Sequence, residues 1–262
     1  MNIIVCMKQT PDTERGAPDY VTGTWAVDRG SCDRVANVFD TYALEVASRL
    51  KDAEPGSILT ALTIGPEESR AVLKEALSIS ADGAYHVCDD EFSGIDAPAT
   101  ARVLAAAVRR AAEQLGGVDV VFCGKLSSDG ETSVVPAGLA AELDMPYVSG
   151  CLEALVSDGS MLAVKEQKSG CETIEVQTPC VISCVKPNGS FKFPTIKRKL
   201  AANRTVIPAL NKDDIKVDTS CATKVINVYA TERVSSCTFI SGETAQEAAS
   251  ELAVRMFSDG VI

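Results

Sequence analysis

Residues 119–143 constrain the fold more than any other stretch, because they place a short apolar run, a polar loop and a helical pattern in that order. The run Val120–Cys123 is apolar at every position, which is typical of a strand buried on both faces. After the loop, Val135, Leu139 and Leu143 recur at helical spacing. This strand–loop–helix order predicts an open α/β sheet, in which ligands bind at the carboxyl ends of strands.

Pro136 predicts where the helix of this unit starts. Proline lacks an N–H group, so it is tolerated in the first turn, where helical amides have no partner within the helix. We therefore expect the helix to begin near Thr132 or Ser133 and to leave the backbone amides of residues 132–135 unpaired. With the positive end of the helix dipole, these amides would suit a phosphate or a pyrophosphate.

Two acidic residues, Asp129 and Glu131, lie beside this expected phosphate site. They would have to bond sugar hydroxyls or brace the loop, since carboxylates repel a phosphate. An ordinary capped strand-to-helix turn remains the alternative for the same segment.

The alternation of strands and helices extends to the N-terminus. Strand-like runs occur at residues 2–7, 57–64 and 84–88, and helical patterns occur at residues 39–51, from Pro66 onward and at 96–115. Over residues 1–146 this alternation predicts a Rossmann-like, mostly parallel sheet with helices on both faces.

The pattern changes after Pro146. Short strand-like pieces up to Val185, separated by Gly-containing turns, predict an antiparallel ribbon. Beyond about residue 190, apolar runs are too sparse for an independent core. We predict an α/β nucleotide-binding domain over residues 1–190 and an extension over 191–262 that packs on a partner subunit. A hairpin at Tyr20–Val27 and a late strand at Lys224–Ala230 complete the expected elements.

Charge and hydropathy exclude several classes of function. The chain has 262 residues and a formal net charge of −11, which argues against nucleic acid or an anionic membrane as a partner. No apolar run approaches the roughly 20 residues of a membrane span. The first residues do not have the order of a secretory signal, so we expect a cytoplasmic protein.

The cysteines and the single histidine predict no metal centre and no catalytic group. Most of the ten cysteines lie singly, several of them inside strand-like runs, and the chain has no CxxC pair, so we expect reduced, structural thiols. His86 lies in the middle of a strand-like run, where a structural role is favoured over catalysis. The chain also lacks the GxGxxG, P-loop and GxSxG motifs that would indicate a dehydrogenase, an NTPase or a hydrolase.

Several segments together resemble one family, the beta subunits of electron transfer flavoprotein. They are CMKQTPDT at 6–13 (VKQVPDT in the family), NVFD at 37–40 (NPFD), ALEVASRLK at 43–51, IGP at 64–66, LKEALSISADGAYHV at 73–87, CGKLSSDGET at 123–132 (CGRQAIDGDT) and KFPTIK at 192–197 (RYPSLK). Each match is weak alone, but their shared order along residues 1 to about 205 is specific.

The resemblance implies a nucleotide-binding subunit in a heterodimer with an alpha subunit, relaying electrons between a donor and acceptor flavoproteins. The family's pocket residues correspond here to Cys6, Asn37, Val38, Phe39, Asp40, Ile64, Asp129, Gly130, Glu131, Thr132, Ser133, Val134 and Val135. Asn37 and Asp40 could instead be plain helix caps, and Ile64 a core residue.

In one branch of the family this pocket holds AMP, and in the electron-bifurcating branch it holds a second FAD that NADH reduces. The segment DGET at 129–132 resembles the flavin branch more closely, so FAD is favoured over AMP, with NADH as a candidate substrate. The sequence departs from the family at Val134, Pro136 and Lys168, and these departures bear on the flavin contacts and on the choice of partner.

The resemblance also implies a docking surface for an acyl-CoA-type or other flavin dehydrogenase. Its candidate residues are Lys192, Pro194, Ile196, Lys197 and Arg198, with Ile196 as an apolar anchor among charges. A solvated loop is the alternative for this segment. The alternative for the whole chain is a non-redox AMP- or ATP-binding sensor on the same scaffold.

Overall fold

The computed structural model describes residues 1–12, 33–226 and 237–262. They form two compact units, Met1–Ile226 and Asn227–Ile262. The predicted division at residue 190 concerns contacts with a partner subunit and stays a prediction. The predicted hairpin at 20–27 lies outside the described residues, as do residues 227–230 of the late strand, and residues 224–226 are not in a strand.

The first unit is built on a nine-stranded sheet, with a separate two-stranded sheet beside it. The strands are β1 (Asn2–Cys6), β2 (Gln9–Pro11), β3 (Arg34–Ala36), β4 (Ile58–Ile64), β5 (Gly83–Val87), β6 (Val120–Gly124), β7 (Tyr147–Ser157), β8 (Ser160–Gln167), β9 (Gly170–Val176), β10 (Cys180–Cys184) and β11 (Ala209–Leu210). The order in the large sheet is β11-β5-β4-β1-β6-β10-β7-β8-β9, and β2 pairs with β3.

Among the described residues, the strands of the large sheet from β11 to β7 run parallel, and β7, β8 and β9 pair antiparallel, as β2 and β3 do in the small sheet. The predicted α/β class, the mostly parallel sheet and the antiparallel ribbon are therefore confirmed. One expectation was wrong: β10 was predicted within the ribbon, whereas it lies inside the parallel part between β6 and β7. All five of its residues are buried, as both faces of a central strand must be.

Helices cover both faces of this sheet, as predicted. The described helices of the first unit are α1 (Val38–Ala53), α2 (Arg70–Ile79), α3 (Ala97–Leu115), α4 (Val135–Leu143), α5 (Ile196–Arg204) and α6 (Lys212–Ile215). Alternate residues of β1 point to opposite faces, so Ile3 packs with the apolar sides of α1 and α2, while Ile4 packs with those of α3 and α4.

Local chemistry sets the helix ends. Asp96 caps α3 by accepting a hydrogen bond from the amide of Ala99 at 2.9 Å, and Gly116 ends the helix with a φ of 78°. The helix expected from Pro66 begins instead as a 3-10 turn at Glu67–Ser69, and α2 follows it.

The second unit contains one described helix, α7 (Ala245–Ser258), whose first turn is capped by the Thr244 hydroxyl. Among the described residues, no helix combines the length and the apolar character that crossing a membrane would require.

Candidate cofactor-binding site

The sheet topology defines a crevice at the carboxyl ends of β1 and β6. From β1 the chain passes to β4 and β5 on one side, and it then crosses to β6 on the other side. Such a reversal of strand order is where ligands bind in open α/β sheets. Residues 125–134, the β6–α4 loop, lie at this crevice together with Lys8, which follows β1.

Asp40, in the first turn of α1, ties both strand ends together. Its side chain is buried, and its Oδ2 accepts a hydrogen bond from the Lys8 amide at 2.7 Å. Its Oδ1 accepts one from the Gly124 amide at 3.0 Å. Burial raises the pKa of Asp40 to about 7, against the opposing effect of the hydrogen bonds from Lys8, Asn37 and Gly124.

The side chain of Asn37 hydrogen-bonds to the backbone of the β6–α4 loop. Only 1% of it is exposed; its Nδ2 donates to the Leu126 carbonyl at 2.8 Å, and its Oδ1 accepts from the Ser128 amide at 3.1 Å. Although Asn37 precedes α1, its side chain accepts no hydrogen bond from the amides of that helix. The side chain of Asn37 therefore does not cap α1. It instead holds the β6–α4 loop, which is distant in sequence.

The ammonium group of Lys8 reaches across the crevice to the loop. Its Nζ lies 2.7 Å from Oδ1 and 2.8 Å from Oδ2 of Asp129, whose side chain is 10% exposed. Asp129 therefore braces the loop, one of the two roles expected for it, and its negative charge is compensated in place.

The far part of the loop lies at the surface of the molecule. Residues 130–134 are exposed, and within the described residues the amides of Thr132 to Val135 donate to no acceptor. Glu131 and Ser133 have positive φ values of 49° and 55°, so this stretch is not helical. The expectation that the helix begins near Thr132 or Ser133 was therefore wrong: α4 begins at Val135, with Pro136 in its first turn.

The remaining predicted pocket residues line the edges of the crevice. Cys6 ends β1 and is buried beside Cys123, whose pKa is raised by a hydrogen bond with Cys6 and by burial. Ile64 ends β4 and is half-buried. On α1, Val38 is exposed and the Phe39 ring packs edge-on against Tyr42, with 5.7 Å between the ring centroids.

Two residues that the sequence did not single out, Lys8 and Gly124, are central to this geometry. Lys8 lies two residues after the end of β1, and Gly124 ends β6, so both could have been found at the carboxyl ends of predicted strands. A Cβ atom on Gly124 would lie 2.4 Å from Oδ1 of Asp40. Glycine is therefore required for the carboxylate to reach the strand end.

The predicted docking segment contains two kinds of residue. Lys192 and Arg198 hold it to the domain: the Lys192 amide donates to Oε2 of Glu45 at 2.9 Å, and Nη2 of Arg198 donates to the Leu77 and Ala81 carbonyls at 3.1 and 2.9 Å. Ile196 instead begins α5 and is 80% exposed. Pro194 is half-buried and Lys197 is exposed.

Comparison with known proteins decides the family. The electron transfer flavoprotein domain family matches residues 24–214 of this chain. The chain belongs to the electron transfer flavoprotein family. Its relatives include the electron transfer flavoprotein subunit beta of Megasphaera elsdenii, 36% identical over 83% of this chain and 81% of the relative. This family of beta subunits is the one that the ordered segments resemble.

Two further relatives are named after larger assemblies. The caffeyl-CoA reductase-Etf complex subunit CarD of Acetobacterium woodii is 31% identical over the full length of both chains. The acryloyl-CoA reductase electron transfer subunit gamma of Anaerotignum propionicum is 35% identical over 71% of this chain and 68% of the relative.

Proposed function

We propose that this chain is the beta subunit of a heterodimeric electron transfer flavoprotein that binds FAD at the β6–α4 loop. The observation that supports this most directly is the row of backbone amides from Thr132 to Val135, which donate to no acceptor among the described residues and lie at the reversal point of a parallel sheet. Unpaired amides at a helix start suit the phosphates of an adenine-containing cofactor.

The charges around the loop fit such a ligand. Lys8 compensates the carboxylate of Asp129, so one of the two acids that would repel a phosphate is offset, and Glu131 remains exposed. Asn37 and Asp40 are buried beneath the loop. They act as positioning residues that hold the loop in place. A bound flavin would supply the redox chemistry, while the protein binds, orients and shields it.

The choice of partners rests on the family. CarD and the acryloyl-CoA reductase subunit bear the names of CoA-ester reductases. We infer that this chain pairs with an alpha subunit and exchanges electrons with an acyl-CoA-type flavin dehydrogenase, with NADH as a candidate donor, in the cytoplasm. Lys192 and Arg198 bond this segment to the domain, while the side chain of Ile196 is exposed between them. This arrangement supports a docking surface on α5.

Quantifying the nucleotides released from the denatured complex tests the proposal. The chain would be co-expressed with an electron transfer flavoprotein alpha subunit and purified under native conditions. We expect about two FAD per heterodimer, one of them held by this chain. One FAD with one AMP would instead support a simple carrier whose beta site is structural. A colourless homo-oligomer that retains AMP or ATP would support the sensor and overturn the redox role.

A further inference from the structure

The only histidine of the sequence, His86, has a buried ring nitrogen that no described residue hydrogen-bonds. His86 lies in β5 and is 0% exposed, and its Nε2 lies 2.9 Å from the Gly65 carbonyl and 3.2 Å from the Pro66 carbonyl. Carbonyl oxygens only accept hydrogen bonds, so Nε2 has the proton and Nδ1 has the lone pair. Nδ1 is buried and has no hydrogen-bond partner among the residues that the structure describes, which is unusual for a polar atom in a folded protein.

Two other groups with metal-binding chemistry approach this lone pair. Oε2 of Glu67 lies 3.9 Å from Nδ1 of His86. With the sulfur of Cys88, these ligand atoms all lie within 4.8 Å of one another. The fold explains the grouping: β4 and β5 are parallel neighbours with Ile64 opposite Val87, so the turn after β4 meets the end of β5. His86 and Cys88, two residues apart, lie on one side of that chain.

We propose that Glu67, His86 and Cys88 bind a divalent metal ion of the zinc type. A neutral imidazole, a thiolate and a carboxylate are the nitrogen, sulfur and oxygen ligands that Zn²⁺ takes, and three protein ligands leave a fourth position for water. Around a tetrahedral zinc, ligand atoms lie roughly 3.3–3.8 Å apart. The side chain of Glu67 is 72% exposed, so it can move the short distance required.

The surroundings of the three ligands have the features of a metal site. Metal-binding histidines usually donate the other ring N–H to a carbonyl or carboxylate, as Nε2 of His86 does with Gly65 and Pro66. Arg70 has its Nε 2.5 Å from Oε1 of Glu67, which holds one carboxylate oxygen and leaves Oε2 directed at the histidine. Its positive charge opposes a metal ion, but a thiolate and a carboxylate together supply two negative charges.

The sequence alone predicted no metal site because Glu67 is separated from the His-x-Cys pair by the whole of α2. A bound ion would fasten the end of β4 to the end of β5. The turn that contains Glu67 is also linked to the cofactor crevice, since Nε2 of Gln9 donates to the Glu68 carbonyl at 3.1 Å. The ion would therefore stabilise one wall of that crevice by mass action.

Cobalt titration tests the site without relying on activity. The untagged protein, purified with any partner subunit that accompanies it, would be stripped with a chelator and titrated with Co²⁺. We expect about one Co²⁺ per chain, ligand-field bands at longer wavelengths than the flavin absorption, a thiolate-to-cobalt charge-transfer band, and displacement by Zn²⁺.

Three variants identify the ligands. Cys88→Ser should remove the charge-transfer band, and Glu67→Gln should weaken Co²⁺ binding by about tenfold or more. Neither side chain is fully buried, so both variants should fold. Cys171→Ser removes an exposed cysteine on β9 and should leave spectrum and affinity unchanged. The proposal is overturned if the parent binds no stoichiometric Co²⁺, or if Cys88→Ser keeps the spectrum and affinity of the parent.

Discussion

Nζ of Lys8 lies 2.7 and 2.8 Å from the two carboxylate oxygens of Asp129 and joins the end of β1 to the β6–α4 loop. The two residues are far apart in the chain, so this ion pair exists only in the folded sheet. Because the positive charge of Lys8 offsets the negative charge of Asp129, the ion pair also makes the loop less repulsive to a cofactor phosphate.

Lys8→Met should weaken cofactor retention by about tenfold, because it removes the cation that offsets Asp129 and makes the loop more negative. FAD content per heterodimer after extended dialysis, and the dissociation constant from flavin fluorescence, measure the effect. Lys125→Met, at an exposed lysine of the same loop, is the matched control. Adding Asp129→Asn to Lys8→Met should restore part of the lost affinity. Equal retention in the Lys8 and Lys125 variants would contradict this role.

Gly124→Ala should destabilise the domain by about 2 kcal/mol or more, since the new methyl group would lie 2.4 Å from Oδ1 of Asp40 and 2.7 Å from the backbone carbon of Phe39. Gly130→Ala is the control in the same loop, because its methyl group would meet only Oγ of Ser127, at 3.4 Å. It should change the free energy of unfolding by less than about 0.5 kcal/mol. Urea unfolding compares the two, and equal losses would refute the close-approach argument.

The buried carboxyl of Asp40 should make stability fall as pH rises from about 4 to 7. Its pKa is about 7 in the folded protein against an ordinary value of 3.8, so in this window the folded state binds the proton and the unfolded state does not. The stabilisation is complete below pH 3.8 and is lost as pH passes 7. The loss should be on the order of a few kcal/mol.

Urea unfolding of the parent and of Asp40→Asn at several pH values isolates this effect. The difference between the two curves removes the other titrating groups, which both proteins share. The difference should change steadily over the window and be constant above it. A pH-independent difference would mean that Asp40 keeps an ordinary pKa.

Ile196→Ala should slow electron delivery to the partner dehydrogenase by about fivefold or more while leaving FAD content unchanged. The side chain is 80% exposed, so its loss removes apolar contact area from a docking surface without opening a cavity. Val206→Ala, at another exposed apolar residue, controls for a general surface effect, since Val206 is 88% exposed. Stopped-flow oxidation of the reduced flavin by the dehydrogenase is the measurement, and equal rates in both variants would count against docking through α5.

β1, β4 and β6 could be predicted from sequence because each is a short run of mainly apolar residues. β4 and β6 were found within about one residue of their bounds, and their buried positions follow from having helices on both faces. β10 was misplaced because the same kind of run followed the three ribbon strands β7, β8 and β9. Its apolar composition fits a central strand, but nothing local specifies which neighbours it pairs with.

The details of the site depended on contacts that sequence spacing does not contain. The start of α4 was misjudged because Glu131 and Ser133 adopt positive φ in a loop braced by Asn37 and Lys8, which come from distant parts of the chain. Asn37 and Asp40 were predicted to lie in the cofactor pocket, with helix capping as the alternative; in the structure both are buried and bond to the backbone of other segments.

The buried cysteines on the strands next to the crevice can be used to measure how often these strands separate. Cys6, Cys123, Cys180 and Cys184 are all under 8% exposed, and burial raises the pKa of Cys180 to about 12. In the closed sheet burial shields these sulfurs, so an alkylating reagent reaches them only when neighbouring strands separate. The alkylation rate of each thiol, measured by mass spectrometry, would therefore report how often each strand beside the crevice separates from its neighbours. No probe needs to be added to the chain.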